Sequence, residues 1–251
     1  MCLLAVAWRA HEEFQLVVVA NRDEFYSRPA MSAHFWHEYP NIFAGRDLKS
    51  NGTWLGVSKE GRFAAITNFR DPSKHETKAR SRGKLVSEFL HTDSSLEDYC
   101  QFIQQQAHIY NGFNLLLCDG LSLMYFSNRA EEPKVLNPGV YALSNAFLNT
   151  PWPKTLDARD KLENWLRHPS GIENLSQLLF DSKPADDEYL PDTGISYEME
   201  KALSSQLIQL DDYGTRSSTA LIVDDKGSAE YYECVLKPDW ETRFHHFESF
   251  W

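Results

Sequence analysis

Two apolar runs near the amino terminus decide the fold: Leu3-Leu4-Ala5-Val6-Ala7-Trp8 and Phe14-Gln15-Leu16-Val17-Val18-Val19-Ala20, joined by the polar stretch Ala10-His11-Glu12-Glu13. Each run has strand length. The connection is too short for the crossover that parallel strands need, so the pair forms an antiparallel hairpin. Near-continuous apolar character marks strands buried in a core. Three further hairpins follow. Residues 53–58 and 62–68 flank Lys59-Glu60-Gly61, where Gly61 can supply the positive φ of a turn. Residues 113–118 and 121–127 flank Asp119-Gly120, the strongest two-residue hairpin signal in the chain, and residues 219–223 and 229–236 flank Asp224-Asp225-Lys226-Gly227.

Helical spacing of apolar residues predicts helices over 82–91, from 94 to 107, over 155–166, and near 174–181 and 196–210. Ser94 with Glu97 reads as a capping box for the second of these. Residues 181–194 are polar and contain proline, which predicts a surface loop. Antiparallel hairpins with segregated helices give an α+β class, and strands buried on both faces suit two sheets between helix layers, an αββα sandwich. No linker, internal repeat or low-complexity tract divides the 251 residues, so a single domain over 1–251 is expected. Neither a GxGxxG nor a GxxxxGK[ST] sequence is present.

Twenty-five basic against 36 acidic side chains leave a formal charge of −11, which argues against binding a phosphate backbone. No apolar run approaches the roughly 20 residues of a membrane span. The amino-terminal run lacks a basic leader and breaks at Arg9, so it does not read as a signal peptide. A soluble, cytoplasmic protein is the expectation. Cys2, Cys100, Cys118 and Cys234 are scattered, with no CxxC pair or zinc spacing; free thiols and no metal are expected.

Chemistry points to Cys2. Removal of Met1 would put a thiol and a free α-amine on one carbon, and an α-amine titrates near about 7.7–8.0, low enough to take the thiol proton. The hairpin places the end of its second strand, Asn21-Arg22-Asp23-Glu24, beside the start of its first. Arg22 would then favour the thiolate and Asp23 could orient the amine. Asn68, Asn145 and Arg216 also stand at the ends of apolar strands, and asparagine amides can donate to an oxyanion. Asn21, Trp54 and Phe69 are candidates to contact the substrate or ligand. Cys2 could equally be a small hydrophobe opening a buried strand, and the asparagines could cap turns.

The stretch Ala20-Asn21-Arg22-Asp23-Glu24-Phe25-Tyr26 with Arg28-Pro29 resembles the signature of the NRDE-motif family, also called the transport-and-Golgi-organisation family. Further matches are Ala44-Gly45-Arg46-Asp47, Gly52-Thr53-Trp54-Leu55-Gly56, Thr67-Asn68-Phe69-Arg70, Ser81-Arg82-Gly83, Gly139 through Asn145, and Pro151-Trp152-Pro153-Lys154. The family usually has glycine where this chain has Asn51. The resemblance implies an N-terminal nucleophile (Ntn) hydrolase-like αββα sandwich. The cysteine branch of that superfamily, with the bile-salt and penicillin V amidases, uses an N-terminal cysteine, an arginine and an aspartate after the second strand, two asparagines and a late arginine. Cys2, Arg22, Asp23, Asn68, Asn145 and Arg216 occur in that order, although Arg22 and Asp23 are adjacent where the branch spaces them by two residues.

The resemblance implies two activities. One is hydrolysis of a non-peptide amide or thioester through a Cys2 acyl-enzyme, with no cofactor for catalysis. The other is carriage of haem or a lipid in the same pocket. No CxxCH is present for covalent haem attachment. A transient haem ligand could come from His34 or His37 around Trp36, from His245 or His246, or from Cys2 itself.

Overall fold

A computed structural model describes residues 2–74, 76, 77, 79–130 and 132–251; Met1, and with it the expectation about its removal, lies outside them. The chain builds two compact units. The first comprises Met1–Ser27 and Pro138–Ser249, and the second Arg28–Asn137 with Phe250–Trp251.

The first unit holds β1 (Cys2–His11), β2 (Phe14–Phe25), β10 (Gly139–Leu143), β11 (Tyr213–Asp224), β12 (Ala229–Val235) and β13 (Glu241–Phe247). They form one sheet in the order β10-β1-β2-β11-β12-β13, with every neighbouring pair antiparallel. Leu3, Ala5 and Ala7 of β1 and Val17 and Val19 of β2 pack on helix α3 (Pro153–Arg167) through Ala158, Leu162, Trp165 and Leu166, and on α4 (Ile172–Ser176). The alternate residues Leu4, Val6, Leu16 and Val18 are also buried, so this sheet is covered on both faces. Fully burying side chains of this size stabilises the fold by about 1.5–3 kcal/mol each. Pro153 suits the first turn of α3, where its missing N–H would have had no intrahelical partner.

The second unit carries β3 (Ala30–Phe35), β4 (Ile42–Asp47), β5 (Leu55–Ser58), β6 (Phe63–Asn68), β7 (Phe113–Cys118), β8 (Leu123–Ser127) and β9 (Lys134–Val135), again antiparallel and in sequential order. Its sheet packs on α1 (Gly83–His91) and α2 (Leu96–Gln106) through Leu85, Phe89, Leu96, Tyr99 and Ile103. The four expected hairpins are present. The cap of α2 is Ser95, whose hydroxyl accepts the Asp98 N–H; Ser94 is instead bonded to the Thr92 hydroxyl, which shifts the start by one residue. The helices expected near 174–181 and 196–210 contract to α4 and α5 (Tyr197–Ala202). Beyond Ala202 the chain turns so that Gln206 and Leu207 both donate to the Asp181 carbonyl.

Two local features explain sequence choices. Asn51 has φ 55°, the left-handed conformation that glycine adopts most readily and that asparagine tolerates. Gly61 and Gly120 sit at positive φ in the β5–β6 and β7–β8 turns, and both touch the Trp251 indole: a Cβ would fall 2.6 Å and 2.9 Å from its ring. The indole N–H donates to the Gly61 carbonyl.

Candidate active site

Register assembles the site. In the β1–β2 ladder Cys2 lies opposite Arg22 and Leu3 opposite Asn21. On the other side of β2, Arg22 faces Ser217 and Asp23 faces Thr215. Two residues of β2 therefore span three of β11, and Arg216 is the extra one, in a β-bulge that redirects its side chain. Its guanidinium donates to the Phe25 carbonyl at 3.2 Å. Across β1, Leu143 of β10 pairs with Leu4, and the chain continues as Ser144 and Asn145. The Ser144 hydroxyl lies 3.3 Å from the Cys2 carbonyl and 3.2 Å from Asn145 Oδ1, so it ties this segment to Cys2. Asn145, Cys2, Arg22 and Arg216 thus line up across the ends of four neighbouring strands, all buried.

Side chains alternate along a strand, so Asn21 and Asp23 occupy the face opposite to Arg22. Asn21 is fully buried and spends both amide hydrogens on backbone, donating to the Leu179 and Gln206 carbonyls at 2.8 and 3.0 Å. Its place is a staple between β2 and two connecting segments. Asp23 Oδ1 accepts the Thr215 hydroxyl at 2.7 Å, and Thr215 Oγ1 in turn accepts the Ile208 N–H at 2.9 Å. The Tyr213 hydroxyl donates to the Asp23 carbonyl at 3.2 Å.

Burial dominates the electrostatics. It lifts the Cys2 thiol above its ordinary range; the Asp23 charge adds to this, while Arg22 and the Asp23 backbone N–H, bonded to the sulfur, act against it. Burial also lifts the Asp23 carboxyl, opposed by Lys154, the Thr215 hydrogen bond and Arg22. The thiol is therefore protonated at neutral pH, and attack by Cys2 requires a base. Tyr26 completes the cluster: burial and the Asp23 charge raise its phenol, whereas Arg216 lowers it. Gly214 makes room for that hydroxyl, since a Cβ there would lie 2.3 Å from it. Sequence reasoning did not nominate Thr215, Ser144, Tyr26 or Lys154. The polar run Thr215-Arg216-Ser217-Ser218-Thr219 inside an apolar strand was the signal available for the first of them.

Asn68, Trp54 and Phe69 belong to the second unit. Asn68 ends β6 opposite Phe113, the Phe69 N–H donates to the Gly112 carbonyl at 2.8 Å, and the Trp54 carbonyl accepts the Ile66 N–H at 2.8 Å. The Trp54 ring covers Gly45, where a Cβ would come within 2.4 Å. The four histidines lie on or beside edge strands. His34 is on β3 with its Nδ1 2.7 Å from the Ser32 carbonyl, His37 is exposed just beyond it, and His245 and His246 are on β13. Among the described residues no group of three or more His, Cys, Asp or Glu could hold a metal ion, and no helix is long and apolar enough to cross a membrane. All four cysteines are buried and unbridged.

This arrangement of strands is that of an Ntn-hydrolase-like fold. The conjugated bile acid hydrolase of Clostridium perfringens, solved as a cysteine-to-alanine mutant, matches with a TM-score of 0.53 at 9% identity, over 99% of this chain and 97% of that one. A second variant of the same enzyme gives 0.51 at 10% identity over 97% and 92%. The chain belongs to the Transport and Golgi organisation 2 family, whose model matches residues 1–238. The Transport and Golgi organization protein 2 homologs of Bos taurus and Homo sapiens are 37% and 36% identical to it, each over 93% of this chain and 92% of their own length. The Drosophila melanogaster Transport and Golgi organization protein 2 is 22% identical over 88% and 86%.

Proposed function

We propose that this chain hydrolyses a non-peptide amide or a thioester at Cys2, through an acyl-enzyme, after removal of Met1. The row of Asn145, Cys2, Arg22 and Arg216 across four strand ends is the observation that supports the reading. The fold shared with a conjugated bile acid hydrolase is consistent with it, although fold alone does not fix activity. In the reaction the Cys2 sulfur bonds to the carbonyl carbon while its proton passes to the new α-amine, which Asp23 orients. The Asn145 amide donates to the oxyanion. The carbon–nitrogen or carbon–sulfur bond of the substrate then breaks, and the amine returns the proton to the leaving group. Water, deprotonated by the same amine, adds to the acyl carbon; the bond to Cys2 breaks and the acid leaves. The reading takes the chain to work in the cytoplasm, where four unbridged thiols stay reduced.

Intact-mass analysis after incubation with a panel of N-acyl amides and acyl thioesters tests this. An acyl adduct confined to Cys2 is expected, absent from Cys2→Ala and from protein retaining Met1. Asn145→Ala should slow its formation by about 10²–10³. Saturable 1:1 binding of haem or a lipid with no adduct would overturn the hydrolase and put a carrier in its place.

A further inference from the structure

The run Thr215-Arg216-Ser217-Ser218-Thr219 puts four hydroxyl side chains inside β11, all of them buried. Three have partners. The Thr215 hydroxyl donates to Asp23 Oδ1 at 2.7 Å, the Ser218 hydroxyl donates to the Ser176 carbonyl at 2.6 Å, and the Thr219 hydroxyl is hydrogen-bonded to the Tyr231 phenol. Ser217 is the exception. It is 4% exposed, and among the described residues its Oγ has no hydrogen-bond partner. A buried hydroxyl without a partner gives up its hydration with nothing in return, and native proteins keep few such groups. An apolar residue of similar size would suit the strand better, so the hydroxyl is kept for something other than stability.

Register says what Ser217 faces. Residues directly opposite each other in an antiparallel pair share a face of the sheet. Ser217 pairs with Arg22 of β2, and Arg22 pairs with Cys2 of β1, so the three side chains stand in one row. Their neighbours Ser218 and Asn21 also pair with each other, and they bond to the Ser176 and Leu179 carbonyls. That puts Ser218 and Asn21 on the helix-covered face and the Cys2 row on the other. Two strand spacings of about 4.8 Å set Ser217 roughly 10 Å from Cys2, with the Arg22 cation between them. A hydroxyl that can donate, next to a guanidinium that has only donors, suits an acceptor carrying negative charge.

We propose that Ser217 is a substrate-contact residue of the Cys2 site, donating to a carboxylate that the substrate carries roughly 10 Å from its reacting carbonyl. The inference rests on the hydrolase reading and narrows its substrates to acyl compounds with a second, anionic end. The hydroxyl finds its partner only when such a substrate is bound. A site built this way discriminates against an analogue that lacks the polar group, because the buried hydroxyl then stays unpaired.

The test follows acyl-enzyme formation by intact mass in protein that begins at Cys2. Hexanoyl, octanoyl and decanoyl p-nitroanilides are each compared with the same chain ending in a carboxylate. N-octanoyl alkylamines are compared with N-octanoyl ω-amino acids, which puts the charge on the amine half instead. Wild type should prefer the carboxylate member of a pair, and Ser217→Ala should lower that preference about tenfold, as expected for one hydrogen bond to a charged group. Ser217→Thr, which keeps the hydroxyl, should restore it. Urea unfolding supplies an independent readout: Ser217→Ala should keep or raise the midpoint, whereas Ser218→Ala, which breaks an existing bond, should lower it. Ser217→Cys serves the same comparisons if the alanine variant does not fold. Equal use of both members of every pair by wild type, a preference unchanged in a folded Ser217 variant, or a midpoint lowered as far as by Ser218→Ala overturns the role of Ser217, while adducts with the uncharged probes keep the hydrolase. No adduct from any probe in any variant removes the hydrolase, and this role with it.

Discussion

The two units bury polar groups in different ways. Among the described residues every buried charged side chain lies in the first: Arg22, Asp23, Lys154, Glu200, Arg216 and Glu233. The interior of the second relies on neutral groups, as in the chain from the Tyr125 hydroxyl to Asn114 Oδ1 at 2.8 Å and from Asn114 Nδ2 to Thr67 Oγ1 at 3.0 Å. A neutral bond of this kind contributes about 1 kcal/mol, whereas each buried ion must first offset several kcal/mol of lost hydration. Stability by itself had the cheaper solution at hand in the same chain. Four of the six buried charges, Arg22, Asp23, Lys154 and Arg216, act around the end of β2, which makes that end the candidate site of the chain.

The contrast breaks first at Asp23. Asp23→Ala should lower stability by about 3–5 kcal/mol in urea unfolding, because it leaves buried cations without their counter-charge; a loss near zero would mean that the cluster is solvated. Next comes the reactivity of Cys2. Its raised pKa means that the thiolate fraction at pH 7 falls below that of an ordinary thiol, so peptide-mapped alkylation by iodoacetamide should be slow there and still climbing above pH 9 in protein that retains Met1. A rate that levels off below pH 8 would contradict the burial argument. In the second unit, Tyr125→Phe should cost only about 1 kcal/mol, one neutral hydrogen bond. At the bottom of the scale stands the surface pair of Glu38 and Arg46. The guanidinium hydrogen bond holds the Glu38 carboxyl at about 2, yet Glu38→Gln should leave the urea midpoint unmoved at pH 7, since the pair is solvated.

What can be read from the sequence follows the same division. The hairpin 3–20 has the apolar density and short connection that set register, so the juxtaposition of Cys2 with Arg22 is legible in the residues themselves. The edge strands are not. β13 reads Glu-Thr-Arg-Phe-His-His-Phe and is largely exposed, and β3 mixes Met31, Ser32 and His34, so neither shows the alternation of a half-buried strand. Asn21 resembles a contact residue because it sits in a polar strand end; only the parity of β2 turns it to the helix side. Lys154 enters the sequence reading only within the Pro151–Lys154 match, one residue before the expected helix, since sequence does not reveal which face of α3 is covered at its first turn.

The Trp251 clasp has a consequence for how the chain is made. Its indole closes on Gly61, 190 residues earlier, and on Gly120. During synthesis the β5–β6 and β7–β8 turns emerge long before the group that covers them. Both turns therefore lack this cover until residue 251 has been made. A substitution of Trp251 would act on that closing step, whereas any residue kept before Cys2 would mask the α-amine on which the proposed chemistry depends until it was cut away.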